Sequence, residues 1–263
     1  MASFHQILNE AIADFEEHGY DSEERLEYWR KRLSEAADAQ TAITPEAMKR
    51  TFTAIYSAQV INGGLLKTHK IADWELRQLA PKLRVELERK IMASAQLIKL
   101  NREEMISRTI RRFTGWATSI PVGGSEAIEK RETSNEIKKS LKQLPFTERR
   151  VMIDQAAKFN ASLSNIVAVE TGAIAAVWKS HWRAPGYNYR KDHKERDGVV
   201  YLLRDNWAMQ KGLVKLAGHQ YTDEITMVAE EPYCSCKYKY LYNLRDLPEE
   251  LLTEKGRASI GKK

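Results

Sequence analysis

From Pro81 to Gly115 the apolar residues return every three or four positions, through Leu83, Leu87, Ile91, Ala95, Ile98, Met105, Ile106, Ile110 and Phe113. That period predicts one uninterrupted helix after Pro81, on the order of 50 Å long at about 1.5 Å per residue. A helix of this length must find apolar partners along much of its surface, which commits the chain to a mainly helical architecture. The preceding segments comply. Phe4, Ile7, Leu8, Ala11, Ile12 and Phe15 form an amphipathic stripe between a Ser3 cap and a Gly19 stop. Ser22 opens a second helix through Leu26, Trp29 and Leu33, and Thr44-Pro45-Glu46 opens a third that runs toward Gly63-Gly64. Met48, Phe52, Ile55, Tyr56 and Val60 of the third are expected to pack on the first two as a small bundle. Pro145 is expected to reset the chain. A long run to Trp182 then starts at Thr147, broken into two helices at Asn160.

Beyond Trp182 the helical period fails. Short β-prone runs, Val199-Val-Tyr-Leu-Leu and Tyr238-Lys-Tyr-Leu-Tyr, are separated by Gly186, Gly198, Gly212, Gly218 and Pro232, the pattern of a small irregular sheet. The expected fold class is therefore α+β. A helical region over 1–119 is followed by a linker with a short helix over 120–146, that helix lying around Glu136 to Leu144, and by a compact α+β module over 147–263. The 263 residues suffice for one large or two ordinary domains, and 43% hydrophobic against 30% charged residues excludes a disordered chain. No secretory leader or membrane-spanning stretch is expected. Two cysteines separated by one residue give no disulfide framework, so a reduced cytoplasm is the expected site of synthesis.

The net charge of +6 permits nucleic acid without demanding it, so its distribution matters. Between Lys82 and Arg112 nine basic residues face four acidic ones. Arg84, Arg89, Lys90, Lys99, Arg102, Arg108, Arg111 and Arg112 are the candidate phosphate contacts, set against the reading that they are a solvated helix face with ordinary ion pairs. A second basic stretch, Lys130 to Arg150, carries seven cations against three acids and no pattern of base-reading residues. Contact with double-stranded DNA through either would be independent of sequence.

The last part of the chain presents, in order, Asn165-Ile-Val-Ala-Val-Glu170-Thr171-Gly172 on a helix with Trp178, then Asp192-His193-Lys-Glu-Arg196-Asp197-Gly198, then Pro232-Tyr-Cys234-Ser-Cys236. This series resembles the phage Mu protein F-like family, the minor head or head-morphogenesis proteins of tailed bacteriophages. In that family a Glu-Thr helix precedes a His-centred turn and a closing Pro-x-Cys-x-Cys segment. The matching region runs from about Thr147 to Leu247. Val169 stands where the family commonly has an arginine. The resemblance implies a non-enzymatic virion component associated with portal or capsid proteins and with packaged DNA, with Glu170, Thr171, His193, Asp197, Gly198, Cys234 and Cys236 as structural motif residues. A ring of copies whose basic stripe faces DNA in transit is a further arrangement that the helices allow.

Glu170 sits among Val167, Val169 and Ile174 and needs a partner if it is buried, for which His193 or Arg196 are candidates. Cys234 and Cys236, joined by His193 or His219, could complete a tetrahedral zinc site, or could be two small buried residues of a strand. Asp192, His193, Glu195 and Asp197 invite a metal-dependent nuclease reading in which Glu170, His193 and Asp197 act, against that of a polar turn before a strand. The tyrosines at 187, 189, 201, 221, 233, 238, 240 and 242, of which the first lies outside the residues that the structure describes, either stack on single strands or lie half-buried in a sheet.

Overall fold

A computed structural model describes residues 2–39, 44–186 and 188–261. The helices are α1 (Phe4–His18), α2 (Glu23–Asp38), α3 (Pro45–Tyr56, followed by a π turn over Ser57–Ile61), α4 (Gly64–His69), α5 (Asp73–Ala117), α6 (Lys130–Ile137) and α7 (Lys139–Glu170). Strand β1 (Ala175–Lys179), the one-turn α8 (Lys191–Glu195), β2 (Val200–Leu202), α9 (Trp207–Gln210), β3 (Lys237–Leu241) and α10 (Glu254–Gly261) complete the chain. The fold is mainly helical α+β with one three-stranded antiparallel sheet. Among the described residues no helix is long and apolar enough to cross a membrane.

Two compact units divide the chain discontinuously, residues 1–48 with 93–152 and residues 49–92 with 153–263. In the first, α1 begins with a reciprocal cap: Gln6 N–H donates to Ser3 Oγ, and Ser3 N–H donates to Gln6 Oε1 at 2.8 Å. It ends at Gly19, where the turn over Pro121–Gly124 docks through Tyr20 N–H to Ile120 O and Gly123 N–H to His18 O. A Cβ on Gly19 would stand 1.8 Å from Pro121 O, so the position admits only glycine. The core gathers Leu8, Phe15, Leu33 and Phe113, with Phe15 edge-on to Phe113 and Trp116. Trp29 Nε1 donates to Asp14 Oδ2 at 2.7 Å and holds α2 on α1.

The second unit contains the sheet, in the order β2-β1-β3. Ala175 stands opposite Leu202 and Leu241, Ala176 opposite Tyr201 and Tyr240, and Trp178 opposite Tyr238. The period of two then sorts the side chains. One face, with Ala175, Leu202 and Leu241, is covered by Ala208, Val214, Leu247, Leu251 and Leu252. The other carries Ala176, Trp178, Tyr201, Tyr238 and Tyr240 and meets α7 at Ala161 and Ala168, together with Cys234 and Cys236. Elsewhere in this unit Phe52 packs edge-on to Phe159, and Tyr56 Oη donates to Ala80 O.

Five local expectations are corrected. Phe52 of α3, expected to pack on the first two helices, packs on Phe159 of α7 instead. The long helix begins at Asp73 and passes through Pro81, and α7 passes through Pro145 and Asn160 without a break. An interior proline costs about 3 kcal/mol, but Leu76, Leu79, Leu83 and Leu87 around Pro81, and Leu141, Leu144 and Val151 around Pro145, are buried. Burial of several such side chains at roughly 1.5–3 kcal/mol each outweighs that cost. The short helix placed around Glu136 to Leu144 is instead the end of α6 and the start of α7. Trp178 lies on a strand, because α7 stops at Gly172, whose φ of +79° is left-handed.

Candidate functional site

The Trp178 face of the sheet holds the motif residues. Trp178 is fully buried, and its ring meets His193 edge-on at 5.1 Å and Tyr238 at 5.6 Å. His193 is delivered by α8, a single helical turn rather than a loop, and Cys234 and Cys236 by the segment just before β3. The three side chains are 1%, 1% and 3% exposed. His193 Nδ1 lies 3.5 Å from Cys234 Sγ and 3.6 Å from Cys236 Sγ, and the three donor atoms all fall within 4.8 Å of one another. The other nitrogen, Nε2, is buried without a hydrogen bond among the described residues, with Glu231 Oε2 at 3.3 Å and Asp192 Oδ2 at 3.8 Å. Arg190 Nε approaches that Glu231 oxygen at 2.6 Å.

The two sulfurs divide their acidity. A hydrogen bond with Cys236 and burial push the Cys234 thiol up. The same contact from Cys234, followed by the amide N–H of His181, holds Cys236 down at about 5. One proton shared by two buried sulfurs is a stable arrangement, and two sulfurs with an imidazole also form a donor set suited to a soft divalent cation.

Asp197 and Gly198 brace the same corner. Asp197 accepts from Ser180 N–H at 2.9 Å and from Trp182 Nε1 at 3.1 Å, which with Arg183 nearby holds its carboxyl below the usual range. Gly198, at φ +86°, donates its N–H to Trp178 O. Thr171 Oγ1 donates to Val167 O in the last turn of α7. Glu170 is placed differently from the expectation. Its side chain is 35% exposed and pairs with Lys82 of α5 at 2.7 Å, while Arg196 binds Asp192 and Thr226. The expected carboxylate cluster is likewise distributed, with Glu195 near Lys191 at 3.9 Å and Asp192 on Arg196 at 3.1 Å. Of the two candidate histidines, His193 reaches the cysteines, whereas His219 donates from Nδ1 to Val200 O at 3.0 Å.

The tyrosines serve the sheet. Tyr201, Tyr238 and Tyr240 face α7 and the cysteines, and Tyr240 Oη donates to Asn165 Oδ1. His69, which the sequence reading passed over, is buried against Tyr242 Oη at 2.5 Å and Ser164 Oγ at 3.0 Å.

The basic residues of α5 are largely paired. Arg84 meets Glu88, Arg89 meets Glu86, Lys99 meets Glu103 and Arg108 meets Glu104. Arg102 is 17% exposed and bonded to Glu148, which is wholly buried. Lys90 is half-buried, and burial and then the neighbouring Arg89 lower its pKa. Arg111 and Arg112 are exposed, the latter donating to Glu136 O. The second basic stretch makes a concavity of about 610 Å³ in the first unit, lined by His5, Lys130, Arg131, Asn135, Lys138 and Lys142. Burial and then the charge of Lys142 lower the pKa of Lys138 there.

A comparison with protein-family models finds no match, and comparisons with curated proteins and with solved structures likewise find none.

Proposed function

We propose that this chain is a non-enzymatic virion structural protein, a minor head protein of a tailed bacteriophage, bound to portal or capsid protein and to packaged DNA in head assembly or genome delivery. The observation that carries the reading is the closure of the motif. His193, Asp197, Gly198, Cys234 and Cys236, the residues behind the resemblance to the Mu protein F-like family, meet at one corner of the sheet around a fully buried Trp178. A catalytic acid or base must come within hydrogen-bond reach of a substrate proton. Here the imidazole and both thiols are buried against one another and Asp197 is bound to the backbone, so the arrangement suits a brace.

DNA association is supported by charge in the first unit. The concavity of Lys130, Arg131, Lys138 and Lys142 concentrates cations at the surface, and Arg111 and Arg112 add to them. Such a surface neutralises phosphates without reading bases. Filter binding of random-sequence duplex DNA across a salt series is the test, run beside a plasmid incubated with magnesium. Affinity that falls as salt rises, with the plasmid left intact, is the expected result. Binding insensitive to salt removes the DNA part, and nicking or linearisation replaces the structural reading with a nuclease.

A further inference from the structure

We propose that His193, Cys234 and Cys236 bind one structural zinc ion, through Nδ1 and the two Sγ atoms. The donor spacing matches that of a zinc ion. Tetrahedral zinc with Zn–S of about 2.3 Å and Zn–N of about 2.0–2.1 Å places an imidazole nitrogen and a thiolate sulfur about 3.5 Å apart. The separations from Nδ1 are 3.5 and 3.6 Å to the two sulfurs.

The far side of the ring is equipped to match. With Nδ1 on the metal, Nε2 carries the proton and requires an acceptor. Nε2 is buried and makes no hydrogen bond among the described residues, yet Glu231 Oε2 stands 3.3 Å away, and Arg190 is engaged with that same oxygen. A carboxylate behind a ligating histidine is the usual support of such a site, fixing its tautomer and raising its basicity. The sulfurs are also provided for. The amide N–H groups of Ala229 and of Cys236 itself bond Cys234 Sγ, and that of His181 bonds Cys236 Sγ. Amide donors of this kind stabilise sulfur that carries negative charge.

The chemistry of the site is structural. All three donors are at most 3% exposed and Trp178 packs edge-on against the imidazole, so a substrate has no approach. The ion would join α8 to the strand-entry segment of β3 across 41 residues of chain, whose closure in the unfolded state is entropically costly.

Elemental analysis of the full chain, purified without chelator or a metal-affinity step, tests the assignment. One zinc per chain is expected, removed by a strong chelator and restored by zinc sulfate. Cobalt(II) loaded in its place should show thiolate-to-cobalt charge transfer and the intense visible bands of a tetrahedral site. Cys236→Ser and His193→Ala should lose the ion. Glu231→Gln keeps all three donors and should bind zinc 10–100-fold more weakly. If the ligand variants fail to fold, the cobalt spectrum of the native chain decides alone. A folded native chain that holds no zinc as purified and takes up neither zinc nor cobalt overturns the proposal, as does bound cobalt without thiolate charge transfer.

Discussion

Glu148→Ala is expected to be among the more damaging single changes in the first unit. Arg102 Nε and Nη2 both donate to Glu148 Oε1, at 2.9 and 2.6 Å, with the carboxylate wholly buried and the guanidinium 17% exposed. Removing one member of a buried pair costs about 3–5 kcal/mol, because the other charge is left in a poorly solvating environment. The remaining access of water to Arg102 places Glu148→Ala at the lower end, about 3 kcal/mol. Arg102→Met is more severe near neutral pH, since Glu148 has no such access. The double variant Arg102→Met/Glu148→Leu replaces the pair by apolar groups and should recover to within about 1 kcal/mol of the native chain. Urea unfolding followed by circular dichroism, read as a double-mutant cycle, gives the coupling directly. Single changes that each cost under about 1 kcal/mol would contradict a tightly buried pair and return Arg102 to the pool of phosphate contacts.

Other outcomes follow from the same geometry. His69 is buried with its pKa lowered to about 4 by desolvation, from an ordinary 6.5. The unfolded chain therefore takes up this proton first, so stability is lost as pH falls from about 6.5 to about 4, by roughly 3 kcal/mol in all. Unfolding midpoints of the native chain and His69→Asn over that window should differ in slope, and equal slopes would contradict the burial argument. Gly19→Ala and Gly186→Ala start from the same φ of +70°, but only Gly19 faces a backbone oxygen where its Cβ would stand. Gly186→Ala should cost about 1–2 kcal/mol from the left-handed backbone alone and Gly19→Ala clearly more, measured by thermal unfolding. Lys138→Glu with Lys142→Glu should weaken DNA binding uniformly across sequences and flatten its salt dependence, and binding that keeps its salt slope in this variant would contradict the placement of the phosphate surface. Chelation of zinc should raise hydrogen exchange around His193 and Cys234 to Cys236 and leave α1 and α2 protected.

The helical part was legible where local chemistry decides it. Ser3, Ser22 and Thr44 cap helices as their spacing predicts, and Gly19 stops α1, because caps act over three or four residues. Proline was misleading for the opposite reason. Its local cost at 81 and 145 is offset by buried leucines whose partners lie elsewhere in the chain. Strand β1 was hidden because Ala173, Ile174, Val177 and Trp178 continue the helical spacing of α7, and only the left-handed Gly172 separates them. The site was half legible. His193, Cys234 and Cys236 were named from residue type, and so was the zinc option, but His219 was an equal candidate until the fold directed it to Val200. Glu170 misled because its apolar neighbours suggested burial, while its partner Lys82 stands 88 positions away. Glu231 was passed over because its role is set by an imidazole 38 residues earlier, brought beside it only by the packing of α8 on the segment before β3. His69 carried no local signal at all, since Tyr242 lies 173 positions away.

Quantitative mass spectrometry of purified phage particles tests the head-protein assignment most directly. A minor head protein is present in intact, nuclease-treated virions in a small fixed number of copies, far below the shell protein, and remains with the head when tails are removed. Absence of the chain from intact particles, with the protein recovered only from the lysate that produced them, contradicts the assignment.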